Sequence, residues 1–180
     1  MTGLGDRLVR PAATITVALW AVTGGSMLLV GTIDPLRRAA AGFLGGLGLD
    51  LQPSGPSLHA LIITRFAGNV RVALLPLLLT AIGAWRRPVP RTVSDIVVAG
   101  TLTLNAMLVG AALGVHGTRL MPFLPHLPLE WTALAVCGAP WLLARHGSPV
   151  RTDDLVVAAA AGVLLLGAAA VVETFLTPRP

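Results

Sequence analysis

The sequence predicts an all-α membrane protein, and three observations carry that reading. Hydrophobic residues make up 54 % of the 180-residue chain and charged residues 12 %, with a mean hydropathy of +0.80, too little charge for the surface of a soluble domain. Several windows reach the roughly 20 apolar residues that a hydrocarbon core demands. Short segments rich in arginine, proline and glycine separate them, as connections between spans do. Five transmembrane helices are expected within a single domain, at about 11–31, 60–85, 96–115, 128–144 and 155–176.

The first window follows Arg7 and Arg10 and contains Trp20 with the small residues Gly24, Gly25 and Ser26. It is longer than the ~7–15-residue apolar core of a cleaved signal peptide, and the nearest alanine-rich site, Ala39 to Ala41, lies beyond a charged break. A retained signal anchor is the expectation. Residues 36–51 are apolar but short and glycine-rich, which places them at the membrane interface instead of across it.

The second span is unusual in carrying Arg65, Asn69 and Arg71. Arg65 and Asn69 are four apart and share a helix face, while Arg71 points elsewhere. The stretch Arg86 to Asp95 holds Arg86, Arg87 and Arg91 with Pro88 and Pro90 and is expected as a cytoplasmic loop. In the third span Thr101 and Asn105 share a face, and Gly110-x-x-x-Gly114 offers a flat surface for close helix packing. A loop with His116 and Arg119 leads to Pro122, Pro125 and Pro128, which delay a regular helix to about Leu129. Glu130 then falls in the first helical turn, four residues after His126. The fifth span is an Ala/Gly/Val/Leu run interrupted by Glu173 near its end.

All 13 basic residues are arginines. They are scattered through short loops and form no basic face, so nucleic acid is not an expected partner. With the N-terminus inside, Arg7, Arg10, Arg86, Arg87, Arg91, Arg145 and Arg151 are cytoplasmic, against Arg37, Arg38, Arg119 and Arg179 outside. That asymmetry favours a multi-pass cytoplasmic-membrane protein with its C-terminus out. Cys137, the single cysteine, lies inside a span and supports no disulfide framework.

No catalytic, cofactor-binding or metal-ligating set is expected. One histidine and one glutamate on a face, with Glu173 on another helix, fall short of a metal site. Ser26 is the only serine in the expected span cores and has no activating motif, and a chain without lysine cannot complete a phosphate-binding loop. The residues of interest are Arg65, Asn69, Asn105, His126, Glu130 and Glu173. Polar groups in apolar helices must be satisfied, and a knot of Glu130 and His126 with the Arg65–Asn69 face, Asn105 nearby, is favoured over a transport path lined by the same residues.

Four stretches, RFAGNVRVALLPLLLTAIG from Arg65, TLTLNAMLVGAALG from Thr101, PHLPLEWTAL from Pro125 and AAAVVETFLTP from Ala168, occur in the order and spacing of the stage II sporulation protein M family. The chain resembles a divergent member: Gly68-Asn69 stands where the family has paired asparagines, Asn105-Ala106 where it has Asn-Gly, and Pro125-His126-Leu127 where it has Pro-His-Gly. The resemblance implies a non-enzymatic scaffold of the cell envelope, working through other membrane proteins or a soluble hydrolase or ATPase. Sporulation members act with peptidoglycan-degrading proteins, and others are encoded beside RDD-type membrane proteins or MoxR-type ATPases. A homo-oligomer is a further expected assembly, and a permease or channel subunit is the alternative function.

Overall fold

The computed structural model describes residues 6–46, 58–83 and 88–176, with side chains at all of these except 6, 58–68, 88, 89, 123, 174 and 176. Six α-helices follow one another: α1 (Asp6–Thr32), α2 (Asp34–Gly46), α3 (Leu58–Ala81), α4 (Pro88–His116), α5 (Leu127–Arg145) and α6 (Thr152–Leu176), with a 3-10 segment at Gly117–Phe123. Among the described residues four helices, Arg7–Thr32, Pro90–Pro122, Leu127–Arg145 and Thr152–Glu173, are long and apolar enough to cross a membrane. The described part of α3, Asn69–Ala81, is a shorter apolar stretch, and the side chains of the first half of the expected 60–85 span lie outside the described residues.

The segment expected at the interface forms a regular helix, α2, continuous with α1 through Ile33, whose N–H reaches the Leu29 carbonyl and whose own carbonyl accepts from Arg37; it packs on α1 and α4. Residues 47–51 of that segment lie outside the described residues. The arginine-rich stretch before the third span is not a loop up to Asp95, because α4 already begins at Pro88. Pro88 and Pro90 fall in the first turn, where a helix has no partner for its N–H groups, so two prolines cost nothing there. Ser94 is consequently a buried helical residue, 3 % exposed.

Helix α5 is the centre of the bundle. Leu127, Trp131, Ala133, Leu134, Ala135, Cys137, Gly138, Ala139, Pro140 and Ala144 are all buried, against α1 on one side and α3 and α6 on the other. Its end is a Schellman motif. Gly147 adopts φ +76°, its N–H bonds to Ala144 O at 3.1 Å, and Ser148 N–H bonds to Leu143 O at 3.0 Å, which occupies carbonyls the helix leaves open.

Helices α1 and α4 run parallel and form the most extensive interface in the molecule. Its closeness depends on the two glycines singled out by their spacing. A Cβ at Gly110 would collide with the Thr23 carbonyl oxygen and lie 2.7 Å from Ser26 Cβ, and one at Gly114 would lie 2.8 Å from Met27 O and Val30 Cβ. Only backbones free of side chains approach so far. Cys137 Sγ sits in the same manner against Gly162, joining α5 to α6.

Contacts at the helix ends fix directions. Arg7 at the start of α1 reaches Asp154 at the start of α6, Arg145 at the end of α5 reaches Asp95 near the start of α4, and the end of α3, Thr80 to Gly83, shares a cleft with Val150, Thr152 and Leu155. So α1, α4 and α6 leave one rim of the bundle, and α3 and α5 return to it.

Candidate functional site

The other half of the bundle holds a cavity of about 390 Å³ where α3, α4, α5 and α6 separate. Asn69, Asn105, His126, Glu130 and Glu173 line it, together with Val72, Val109, Trp131, Leu134 and Leu166. Residues placed on four different helices by the sequence therefore share one space. Arg65 belongs to the helical stretch of α3, but its side chain lies outside the described residues.

Helix start and helix period put each group there. His126 occupies the N-cap position of α5, Pro128 follows in the first turn and Glu130 closes that turn, so the histidine and the carboxylate stand one above the other. Asn69, the last residue of the RFAGN run, faces them from α3 and donates Nδ2–H to Glu130 Oε1 at 2.5 Å. A charge-assisted hydrogen bond of this kind is short and roughly twice as strong as a neutral one. Asn105 lines the cavity and donates Nδ2–H to Thr101 O, one turn back on α4, at 3.2 Å. Glu173 arrives from the last turn of α6. His126, Glu130 and Glu173 take part in further interactions.

Glu130 is half-buried and bonded to a residue 61 positions away; it is a tertiary contact between α3 and α5, not a surface cap at a helix start. The apolar part of the lining was not singled out from the sequence. Trp131, 2 % exposed, follows Glu130 directly, and Val72 lies one turn beyond Asn69, so the i+3 and i+4 neighbours of the polar residues were the available signal.

Toward the rim where α1, α4 and α6 begin, Pro76 is buried, and Ala73, Leu102, Ala106, Cys137 and Ala158 are buried in one apolar cluster with Trp131, Leu134 and Leu166. Among the described residues no group of three His, Cys, Asp or Glu side chains could hold a metal ion. The arrangement offers amide, carboxylate and imidazole groups to a small polar guest or to water, within apolar walls.

A second polar region lies at the rim itself, and sequence reasoning did not find it. Asp154, fully buried, accepts from Arg7 Nη1 at 3.3 Å and from the Arg151 backbone N–H at 3.0 Å; Arg7 also donates to the Pro149 carbonyl at 2.7 Å. Across the same rim Arg145 pairs with Asp95 at 2.9 Å, Trp141 Nε1–H donates to the other Asp95 oxygen at 3.2 Å, and Arg91 donates to the Arg145 carbonyl at 3.2 Å.

Comparison of the chain with protein-family models, with curated proteins and with solved structures finds no match.

Proposed function

We propose that this protein is a non-enzymatic, multi-pass subunit of a larger cell-envelope complex, similar in kind to the stage II sporulation protein M family, and that it works through partners. The observation that carries the reading is that, among the described residues, the polar cavity is bordered on the side of the far rim by the buried side chains of Ala106, Cys137 and Ala158. Each of the four stretches that carry the resemblance contributes to that pocket, Asn69 from the first, Asn105 from the second, His126 and Glu130 from the third and Glu173 from the fourth. The rim bearing Arg7, Arg10, Arg91, Arg145 and Arg151 faces the cytoplasm in this reading, because positive charge is retained on that side. The C-terminus then lies outside.

A permease or channel subunit is the second reading, favoured by the same convergence of five polar residues on a space large enough for a small solute. Isolation of the full chain in mild detergent separates the two. A stable complex with a soluble hydrolase or ATPase is expected; reconstituted protein that alone moves an ion or small solute, with the flux lost in Glu130→Gln, would overturn the subunit reading. Orientation is checked by cysteine labelling at position 91, where modification from outside the cell would reverse the topology.

A further inference from the structure

Helices α1 and α5 run in opposite directions where they meet at the rim. A groove of about 440 Å³ opens between them, lined by Arg10, Pro11 and Thr14 near the start of α1 and by Leu142, Leu143 and His146 at the end of α5. Both helices are among the four that are long and apolar enough to cross a membrane. Helix α5 has 19 residues, about 28 Å at a helical rise, against a hydrocarbon core of about 30 Å. A span that short has both ends at the membrane interfaces. His146, the residue after its last turn, therefore stands at headgroup level, and so does Arg10 across the groove.

A polarity order runs down this groove. Arg10 lies outside Pro11 and Thr14 on α1, and His146 lies outside Leu142 and Leu143 on α5, so each helix carries its basic side chain at the rim and its less polar residues up to one turn inward. The Thr14 hydroxyl is satisfied by the Arg10 carbonyl at 3.0 Å. His146 Nδ1 meets the Leu142 carbonyl at 2.9 Å, which leaves Nε2 as the ring nitrogen that a guest would meet. Arg10 is exposed and, among the described residues, makes no ion pair or side-chain hydrogen bond, whereas Arg7 and Arg145 hold Asp154 and Asp95. Val17, seven residues on from Arg10 and so on nearly the same face, is 69 % exposed. An apolar surface thus continues inward from a cation that the chain itself does not neutralise.

We propose that this groove binds the headgroup of an anionic phospholipid, with Arg10 on the phosphate oxygens, His146 Nε2 beside them, and Pro11, Leu142 and Leu143 against the glycerol and the first methylenes. A guanidinium fork matches phosphate oxygens in pairs. A soluble anion would engage the basic groups and leave the apolar walls unused; a phospholipid presents charge and hydrocarbon in the same order, from the rim inward, as the groove does. The inference rests on the bilayer reading of α1 and α5. It is independent of the subunit reading and of which side of the membrane the rim faces.

The test gives the full-length chain in detergent equal amounts of phosphatidylglycerol and phosphatidylcholine and reads the bound lipid by native mass spectrometry. Phosphatidylglycerol is expected to dominate. Arg10→Gln should lower the phosphatidylglycerol-bound fraction about fivefold, the attraction that one basic residue contributes at a membrane surface, whereas Arg10→Lys should retain most of it. Arg151→Gln, on the same rim but outside the groove, should leave it unchanged. An unchanged detergent melting midpoint shows that the Gln variant is folded. Equal binding of the two lipids, undiminished binding in Arg10→Gln, or an equal loss in Arg151→Gln, the mark of diffuse charge, would overturn the proposal. Displacement of the lipid by inorganic phosphate would overturn it too, by assigning the groove to a free anion. Should Arg10→Gln fail to fold, a photo-crosslinking residue at Thr14, irradiated in native membranes, decides the matter: a phospholipid adduct is expected, and an adduct with a second copy or with another protein would sink the lipid assignment.

Discussion

The two ends of this bundle solve the same problem differently. At the rim, arginines are met by carboxylates at or near helix starts: Asp154 lies at the beginning of α6 and Asp95 in the second turn of α4. Helix starts supply unpaired N–H groups and the positive end of the dipole, so an aspartate there has a backbone partner before any arginine arrives, as Arg151 N–H provides for Asp154. In the cavity half the carboxylate of Glu130 is met by an amide, Asn69, and room remains around the pair. Among the described contacts, the rim joins arginine to aspartate, and the cavity half joins an amide to a carboxylate beside open space.

The comparison is most directly broken at Asp154. Its carboxylate is fully buried while Arg7 is 23 % exposed, so Asp154→Leu should strand the guanidinium and lower stability by about 3 kcal/mol, and the Arg7→Met/Asp154→Leu pair should lose much less. Thermal unfolding in detergent measures both, and additive losses would show that the ion pair does not hold the rim.

Gly110→Val should cost about 1–3 kcal/mol through overpacking, since its Cβ meets the Thr23 carbonyl, a backbone atom with nowhere to go. Thermal unfolding in detergent measures the loss, and an unchanged midpoint would mean that the α1–α4 interface does not need the glycine.

Within the cavity, Asn69→Leu should cost about 1.5–3 kcal/mol, the range for a hydrogen bond to a charged group. The same substitution in a Glu130→Leu background should cost clearly less. Equal costs in the two backgrounds would remove Asn69–Glu130 as the tie between α3 and α5.

The smallest effect belongs to Arg145→Gln. That arginine is 42 % exposed, and screening by solvent limits such a pair to under about 1 kcal/mol, further reduced by added salt. A loss as large as that of Asp154→Leu would show that exposure does not set the worth of rim pairs.

The all-α class was legible from apolar length, which four of the described helices have in the measure a bilayer demands, and Gly110 and Gly114 from their four-residue spacing, a pattern that suits close helix packing. The hydrogen bond from Asn69 to Glu130 follows the need of polar groups in apolar helices for one another, while Arg65, the centre of the expected knot, has its side chain outside the described residues. The start of α4 was misread because proline was taken as a helix breaker at a place where it is a helix starter. Arg7 and Asp154 could not have been paired from the sequence: they are 147 positions apart, and no period or local rule connects residues brought together only when the last helix is in place. Arg71 was separated from Asn69 correctly by their spacing of two, but its exposure depends on where the other helices stand.

The parallel run of α1 and α4 has a consequence for biosynthesis. Helix α1 leaves the ribosome before α4, and the glycines that receive it, Gly110 and Gly114, are made some eighty residues later. Through that interval its hydroxyls need no partner elsewhere: Thr23 donates to Leu19 O and Ser26 to Val22 O, each at 2.8 Å and each within α1 itself. Self-bonded hydroxyls let a helix wait among lipids without an unmet donor. The N-terminal end is fastened last of all, when α6 brings Asp154 to Arg7, so a chain arrested before that helix would keep its first span in the bilayer with the arginine still hydrated.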